Sequence, residues 1–332
     1  MSNPLVSAVM IFLNAEEFIV EAIESILAQT YPDIELVLVD DGSSDGSAAL
    51  ARSFIERFPE RIRMVEHPGR ENRGMSASRN LGVESSRGEY IAFLDADDVW
   101  LPEKTAQQLA IFRENASLGL VYGRTQIWHS WAPAPGRDYF YGLGVPPDAI
   151  YEPPALLGNL VENKFQTPTT CNAMITTKAF ETVGGFEPSF RGMYEDQVFF
   201  SKLYLSFPTY VSDVFWAKYR QHPGNSGAPF CRVAYFRERA RLMEFIFRYS
   251  SCSRTPLDAG TRALIRRELR RARHPELASW LLEVRAKTQR FWQAHPMIGS
   301  ALAAIRSRCA QYSSQLRGFS LGRRRAGERS RA

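Results

Sequence analysis

Long apolar runs are missing from this chain of 332 residues. A helix that spans a membrane needs about 20 consecutive apolar residues, and the most apolar late segment, residues 297–305, is far shorter than that. The first residues also lack the basic and then apolar layout of a secretory signal. We therefore expect a protein that is neither secreted nor held in a membrane by a spanning helix.

Cysteine is scarce as well. Four cysteines are scattered along the chain without the spacing of zinc or redox motifs. This usage is typical of a reducing compartment, so we expect a cytoplasmic protein without a disulfide scaffold. What the chain does have is 45% hydrophobic and 23% charged residues. That composition is enough to bury a core, and it excludes a mostly disordered or collagen-like chain.

Charge is divided unevenly along the chain. Residues 231–332 hold 23 Lys and Arg against 7 Asp and Glu, whereas residues 1–230 hold 18 basic and 29 acidic side chains. This asymmetry predicts an acidic body able to hold divalent cations and a basic tail that faces an anionic partner. Turn-forming residues at 222–227 predict the boundary between the two parts.

Strand and helix patterns alternate along the body. Val6–Phe12 is a continuous apolar run, and residues 34–39 and 90–94 repeat it, as expected for strands buried on both faces. Segments with helical spacing separate these runs, and Asn14 with Glu17 predicts the N-cap of the first helix. The alternation predicts an α/β fold with a mostly parallel sheet flanked by helices.

Acidic residues directly follow two of the predicted strands. Asp40 and Asp41 follow the second strand, and Asp95 and Asp97 follow the strand at 90–94. Ligands of open α/β sheets bind beyond the carboxyl ends of the strands, and carboxylate oxygens favour magnesium or manganese. The alternative is that these aspartates are turn and helix-cap residues. Because two strands end in this way, we favour a cation site that grips a diphosphate.

Short motifs follow one another in a fixed order along residues 4–227. They are residues 6–14 and 22–29, Val39-Asp40-Asp41-Gly42-Ser43, Asn72-x-Gly74 with Arg79-Asn80, residues 88–98 ending in Asp95-Ala96-Asp97-Asp98, Val183-Gly184-Gly185-Phe186, and Tyr194-Glu195-Asp196. Taken together, these motifs resemble the family 2 glycosyltransferases of the GT-A fold. We therefore expect a GT-A domain at residues 1–227, a basic α-helical extension at 228–318 and a disordered basic tail at 319–332.

The resemblance implies an activity and a nucleotide site. In that family a sugar moves, with inversion, from a nucleotide-diphosphate donor to an acceptor hydroxyl. By that resemblance Asp41, with Asp40 beside it, binds the nucleotide base, and Asp95 lies near the ribose and the metal. Arg79 would lie near the nucleotide, although an ion pair on its helix is an equally good interpretation. We expect a UDP-sugar donor and a glycan or lipid-linked acceptor.

The resemblance also implies a divalent metal, manganese or magnesium, and a base. Asp97 and Asp95 would hold the metal, and His222, which ends a Tyr-Arg-x-His stretch, would complete the metal site or touch the diphosphate. Asp196 matches the base of the family, and Glu195 would orient the acceptor or support the loop. Both acidic residues would also suit the positive end of a helix at 197–205.

The chain departs from the family at the end of its first strand. Many members carry Pro-x-Tyr-Asn there, and this chain has Ile11-Phe12-Leu13-Asn14. An aromatic ring that stacks on the base is therefore missing from that position, and we expect Phe12 to pack in the core. Residues 122–163, rich in aromatic residues, proline and glycine, would form either an acceptor groove or a packed surface insertion.

Two basic helical segments are predicted after residue 230. Apolar residues recur at helical spacing over 233–247 and again over 277–291, and arginines fill the other faces. These segments would either contact anionic lipid at the inner face of the cell membrane or pack on the sheet domain. No nucleic-acid partner is expected, because no recognised motif accompanies the charge.

The sequence leaves two other functions open. One is a non-catalytic module that binds a nucleotide sugar or a glycan, and the other is a membrane or nucleic-acid adaptor that acts through the basic tail. The intact aspartates favour the enzyme over both.

Overall fold

The structure is a computed structural model that describes residues 3–132, 136–224, 232–253 and 255–273. The strands are β1 (Val6–Phe12), β2 (Ile34–Asp40), β3 (Ile62–Glu66), β4 (Tyr90–Asp95), β5 (Val99–Trp100), β6 (Leu120–Trp128), β7 (Ala149–Tyr151), β8 (Met174–Thr176) and β9 (Thr209–Arg220). The helices are α1 (Ile19–Leu27), α2 (Ser47–Arg57), α3 (Met75–Glu84), α4 (Lys104–Glu114), α5 (Leu157–Glu162), α6 (Thr177–Val183), α7 (Glu195–Ser206), α8 (Arg232–Cys252) and α9 (Ala259–Arg273). The predicted helical segment at 277–291 and the predicted tail at 319–332 lie outside the described residues.

The strands form one mixed sheet in the order β3-β2-β1-β4-β8-β6-β9-β5, with β7 paired to β9. Strands β3, β2, β1 and β4 are parallel to one another. Strand β8 runs antiparallel to both β4 and β6, and β6 and β9 are again parallel. The sequence pattern predicted the parallel part, whereas three residues of β8 are too few to show a periodicity.

Strand β1 lies at the centre of the parallel part, and all seven of its residues are buried. Because both faces are covered, the strand is a continuous apolar run rather than an alternating one. Phe12 of β1 pairs with Asp40 of β2, and Ile11 pairs with Asp95 of β4. The carboxyl ends of the three strands therefore meet at one edge of the sheet, where ligands of open α/β sheets bind.

Helices α8 and α9 share a core with α7. Leu242 and Met243 of α8 and Ile265 of α9 are buried in the apolar cluster that also holds Phe199 of α7. The predicted apolar stripe of α8 is confirmed at Met243, whereas Phe247 is 44% exposed. Within the part of the chain that the structure describes, no helix is both long and apolar enough to cross a bilayer. The three predicted domain ranges stay predictions.

The loop after β1 differs from its prediction. Helix α1 begins at Ile19, and no side chain caps it. Asn14 instead has a left-handed backbone with φ of 51°, and its Oδ1 accepts a hydrogen bond from the backbone N of Ser44 at 2.8 Å. The predicted N-cap at Asn14 is therefore wrong. Asparagine tolerates this backbone conformation, and its side chain joins the loop after β1 to the loop after β2.

Candidate active site

A cavity of about 790 Å³ lies at the carboxyl ends of β1, β2 and β4. Its wall contains residues 11–15 at the end of β1, Asp41 after β2, Asp95 at the end of β4 with Asp97 after it, and His222 after β9. Pockets that bind small molecules and cofactors have volumes of about 300–1,000 Å³. The structure thus brings four of the residues predicted from the sequence into one wall of suitable size.

Asp97 and His222 are in contact within this wall. His222 Nε2 lies 3.0 Å from Asp97 Oδ2, and both side chains are partly buried. Burial raises the pKa of the Asp97 carboxyl, the negative charge of Asp95 raises it further, and His222 only partly offsets the rise. A cation next to Asp97 would relieve this repulsion between carboxylates.

Arg220 fixes the end of β9 beside Asp97. Its backbone N donates to Asp98 Oδ1 at 2.9 Å, and its Nε donates to the backbone O of Asp97 at 2.7 Å. Its guanidinium lies over the ring of Trp128, 4.4 Å from the ring centroid. Arg220 and Asp98 were not predicted as positioning residues from the sequence. The sequence does contain a pattern that could have indicated each residue. Arg220 is the arginine of the Tyr-Arg-x-His stretch, and Asp98 is the fourth residue of the Asp-Ala-Asp-Asp run.

Arg79 joins Asp95 to the amino-terminal end of α7. It lies on α3 and is 1% exposed. Its Nη2 donates to the two oxygens of Asp95 at 2.8 and 3.1 Å, and its Nη1 donates to Glu195 Oε1 at 3.2 Å. Thr170 Oγ1 also donates to Asp95. Arg79 thus makes ion pairs with two carboxylates, and among the described residues it is not one that lines the cavity.

Glu195 and Asp196 form the first turn of α7. Burial raises the pKa of Glu195, and Arg79 opposes that rise. Burial and then the charge of Glu195 raise the pKa of Asp196 to about 7. Asp196 Oδ1 accepts a hydrogen bond from the backbone N of Gln197 at 2.6 Å. Asp196 is not among the described residues that line the cavity, and Glu195 and Arg79 connect it to the cavity.

Asp40, at the end of β2, and Asp41, directly after it, lie in different surroundings. Asp40 is fully buried, and its Oδ1 accepts a hydrogen bond from the backbone N of Ser43 at 2.8 Å. Asp41 lines the cavity and accepts hydrogen bonds from the backbone N of Arg73 at 2.8 Å and of Gly74 at 3.0 Å. Gly74 has φ of 85°, a conformation that favours glycine. Asp40 therefore shapes its own turn, and Asp41 holds the 72–74 loop at the rim.

Leu13 occupies the position of the missing tyrosine. Leu13 and Phe12 both line the cavity. Leu13 is 43% exposed, whereas Phe12 is 3% exposed and packs in the core. Two aromatic rings, Phe18 and Trp131, also line the cavity, with their centroids 5.5 Å apart. Trp131 belongs to the aromatic-rich segment 122–163, which is expected to form an acceptor groove or a packed insertion, whereas Phe18 follows the helical spacing of α1 and has no other signal in the sequence.

A divalent cation fits beside Asp97 and His222 better than at Asp95. Asp97 and His222 place an oxygen donor and a nitrogen donor next to each other in the cavity wall, whereas both oxygens of Asp95 already accept hydrogen bonds from Arg79. Within the described ranges, no group of three or more His, Cys, Asp or Glu side chains is arranged as a metal site. The chain would therefore supply two ligands, and substrate oxygens or water would supply the others.

Residues 7–184 match the sequence profile of the family described as Glycosyl transferase family 2. The chain belongs to this family. The match confirms the resemblance seen in the motifs, and it includes the segments that carry Asp41, Asp95 and Asp97. It ends before Glu195 and His222, so the family match does not itself cover the α7 carboxylates or the end of β9.

Solved structures share the fold of this family 2 chain. TarS 1–349 from S. aureus, in complex with UDP-GlcNAc, has a TM-score of 0.59 at 18% identity, over 82% of this chain and 73% of that one. The mannosyltransferase PcManGT from Pyrobaculum calidifontis, in complex with GDP-Man and Mn²⁺, has a TM-score of 0.55 at 18% identity, over 89% of this chain and 82% of that one. These likenesses confirm the predicted GT-A fold.

Relatives in sequence match a shorter part of this family 2 chain. The putative teichuronic acid biosynthesis glycosyltransferase TuaG of Bacillus subtilis is 37% identical over 114 residues, which are 34% of this chain and 44% of TuaG. The chain spans less than half the length of the curated relatives it matches. The matches to these relatives therefore support the family and do not establish which substrates the chain uses.

Proposed function

We propose that the chain is an inverting glycosyltransferase that moves a sugar from a nucleotide-diphosphate donor to an acceptor hydroxyl. The observation that carries this proposal is the connection between the cavity and α7. Asp95 lines the cavity, and Arg79 joins it to Glu195, next to the candidate base. The cavity proposed for the donor thus lies at one end of this ion-pair network, and Glu195, the chain neighbour of the proposed base Asp196, lies at the other.

The diphosphate of the donor would lie against Asp97 and His222. Its negative charges would enter a wall that also contains Asp41 and Asp95, so binding requires a cation to offset the repulsion. A manganese or magnesium ion held by Asp97 and His222 would neutralise the charge that grows on the leaving diphosphate. The Mn²⁺ in the PcManGT complex supports a metal, and the UDP-GlcNAc bound to TarS supports a UDP-sugar as the first donor to test.

Asp196 would act as the base. The acceptor oxygen forms a bond to the anomeric carbon, the bond from that carbon to the diphosphate oxygen breaks, and the hydroxyl proton passes to Asp196. A base works best when its pKa lies near the working pH, and burial together with the charge of Glu195 raises the pKa of Asp196 to about 7. Glu195, held by Arg79, would position Asp196. A single displacement of this kind inverts the anomeric configuration.

Activity should rise with pH up to about 7. Since the pKa of Asp196 is raised from 3.8 to about 7, its carboxyl is protonated in acid and cannot accept the proton of the acceptor. We expect log kcat/KM to fall with a slope of about one below pH 7 and to level off above about pH 8. Initial rates at saturating Mn²⁺, measured from about pH 5 to 8.5, would show this profile.

The Asp196→Asn variant is the control for this profile. Its residual rate should be independent of pH over the same range, because the titrating carboxyl has been removed. A wild-type profile that stays flat down to about pH 5, or an Asp196→Asn variant with the wild-type slope, would show that another group sets the pH dependence.

The acceptor would approach α7 from a side that carries exposed aromatic rings. Tyr141 is 47% and Phe165 is 37% exposed. Gln197 Nε2 donates to Asn163 Oδ1 at 3.2 Å, which places the segment that carries Phe165 beside Asp196. Aromatic rings with polar edges suit the mixed apolar and hydroxyl surface of a sugar. We therefore favour a glycan or lipid-linked acceptor, and the name of TuaG, which refers to teichuronic acid biosynthesis, supports a glycan.

A panel of UDP-sugars and GDP-sugars, offered with Mn²⁺, tests the proposed function. Release of nucleoside diphosphate from at least one donor is expected, slow with water alone and faster with a glycan acceptor, and the glycosidic linkage of the product should be inverted relative to the donor. No release and no binding for any donor would contradict the proposal. Tight nucleotide binding without turnover would favour the non-catalytic module instead.

Helix α9 supports a second proposed partner, an anionic membrane surface. Four exposed arginines, Arg262, Arg266, Arg270 and Arg273, recur about one helical turn apart. Basic side chains close to a bilayer are attracted to anionic lipid. Co-flotation with vesicles should therefore require phosphatidylserine, and equal recovery on neutral vesicles would contradict this contact.

A further inference from the structure

Arg191 is a cationic side chain in the cavity wall with no role in the reaction described above. It lies between α6 and α7, shortly before Asp196, and lines the cavity together with Asn72 and Gly74. It follows the family match, which ends at residue 184, and no motif in the sequence marks it.

The guanidinium of Arg191 is only partly used by the protein. Nη2 donates to the backbone O of Asn72 at 2.9 Å and to its Oδ1 at 3.0 Å. Nε lies 3.2 Å from the position that a Cβ on Gly74 would occupy, so the group lies close against the 72–74 loop. A guanidinium has five N–H donors, and within the described part of the chain Arg191 has no hydrogen bonds from its Nε or Nη1. Donors therefore remain for a ligand in the cavity.

Arg191 also differs from Arg79 and His222, because each of those side chains contacts a carboxylate. Arg79 pairs with Asp95 in the same wall. His222 pairs with Asp97. For Arg191, in contrast, no carboxylate lies within ion-pair distance among the residues that the structure describes. Its positive charge is thus available to a negatively charged ligand, in a wall where the neighbouring carboxylates would otherwise repel one.

We propose that Arg191 binds an anionic oxygen group of the nucleotide-sugar donor. The inference rests on the proposed function. Charge-assisted hydrogen bonds from a guanidinium to phosphate or carboxylate are short and strong. The group is either the diphosphate, which every donor carries, or a carboxylate on the transferred sugar. In both cases the bound donor would contact the segment that leads to Asp196, because Arg191 belongs to that segment. The donor would also be linked to the 72–74 loop, because Arg191 donates hydrogen bonds to Asn72.

Calorimetric titration of the full chain in the presence of Mn²⁺ tests this role. The variants are Arg191→Gln, which removes the charge, and Arg191→Lys, which keeps it. The matched control is Arg87→Gln, because Arg87 precedes β4, at the opposite end of that strand from the cavity, pairs with Glu35 at 2.8 Å and is mostly exposed. The probes are UDP, uridine, UDP-glucose and UDP-glucuronate, or GDP, guanosine and the GDP-sugars if the wild type prefers guanine.

Arg191→Gln is expected to weaken the binding of the nucleoside diphosphate about tenfold or more, whereas binding of the nucleoside changes less than about twofold. Arg191→Lys should recover part of the loss, and Arg87→Gln should bind like the wild type. A loss confined to UDP-glucuronate, with UDP and UDP-glucose unchanged, would support the proposal and assign the group as a sugar carboxylate.

Two results would overturn the role of Arg191. One is an equal loss for nucleoside and nucleoside diphosphate, which would mean that Arg191 only holds the loop. The other is unchanged affinity for every probe. A wild type that binds no nucleoside diphosphate at all would overturn the proposed function as well, so the two failures are distinguishable.

Discussion

The Asp196→Asn variant is expected to lose activity by about 100- to 10,000-fold in kcat. Asparagine has nearly the same shape as aspartate, but its amide cannot accept the proton of the acceptor hydroxyl. Donor binding should change less than about twofold, because Asp196 is not among the described residues that line the cavity. Rates of sugar transfer and titration of the nucleoside diphosphate, measured on the same preparation, separate the two effects.

The stability of the variant provides a check that the fold is intact. The pKa of Asp196 is raised from 3.8 to about 7 in the folded protein, so the carboxyl costs no stability below about pH 3.8, and the cost grows as the pH rises to 7. Asp196→Asn removes that cost. Its unfolding temperature should therefore equal or exceed that of the wild type at about pH 8, with a smaller difference at about pH 5.

The matched control for this variant is Asp213→Asn. Asp213 is half exposed and pairs with Arg124 on the surface, so its replacement should leave kcat within about twofold. An Asp196→Asn variant that folds and keeps kcat within a few-fold of the wild type would show that Asp196 is not the base.

The Asp97→Asn variant is expected to reduce kcat/KM by about 100- to 1,000-fold, equivalent to about 3–4 kcal/mol of lost charge stabilisation. Asp97 is the cavity carboxylate in contact with His222, and an amide oxygen is a weaker ligand for a hard cation. Because burial and Asp95 raise the pKa of Asp97, a neutral side chain should be tolerated by the fold. Rates measured against Mn²⁺ concentration should show a much higher metal requirement for the variant.

Metal removal complements this variant. A chelator should abolish turnover by the wild type, and added Mn²⁺ or Mg²⁺ should restore it. Asp213→Asn again serves as the control and should follow the wild-type metal curve. An Asp97→Asn variant with the wild-type dependence on Mn²⁺ would show that Asp97 is not a metal ligand. Full wild-type turnover in the chelator would show that the reaction needs no metal.

The carboxylates at the strand ends could be predicted because buried parallel strands have a distinctive pattern. Val6–Phe12 is apolar throughout since both of its faces are covered. Once parallel strands are recognised, their carboxyl ends must meet at one edge, and Asp41 and Asp95 follow from that rule. The prediction needed only local sequence and the geometry of a sheet.

The partners of these carboxylates could not be predicted. Arg79 and Glu195 are distant in sequence, and spacing does not reveal which acids a buried arginine will contact. Asn14 fits the local pattern of a helix cap, but a contact with Ser44 in a distant loop replaces that role. No sequence motif marks Arg191. Its position in the cavity wall depends on how the segment before α7 packs against the 72–74 loop, and local sequence does not reveal that packing.

A crystal structure with Mn²⁺ and an unreactive nucleotide-sugar analogue tests the central claim most directly. We expect the diphosphate in the cavity, the metal in direct contact with Asp97 and His222, and the anomeric carbon on the side that faces Asp196. A nucleotide bound elsewhere, or a sugar with Asp196 out of reach of the face opposite the diphosphate, would contradict it.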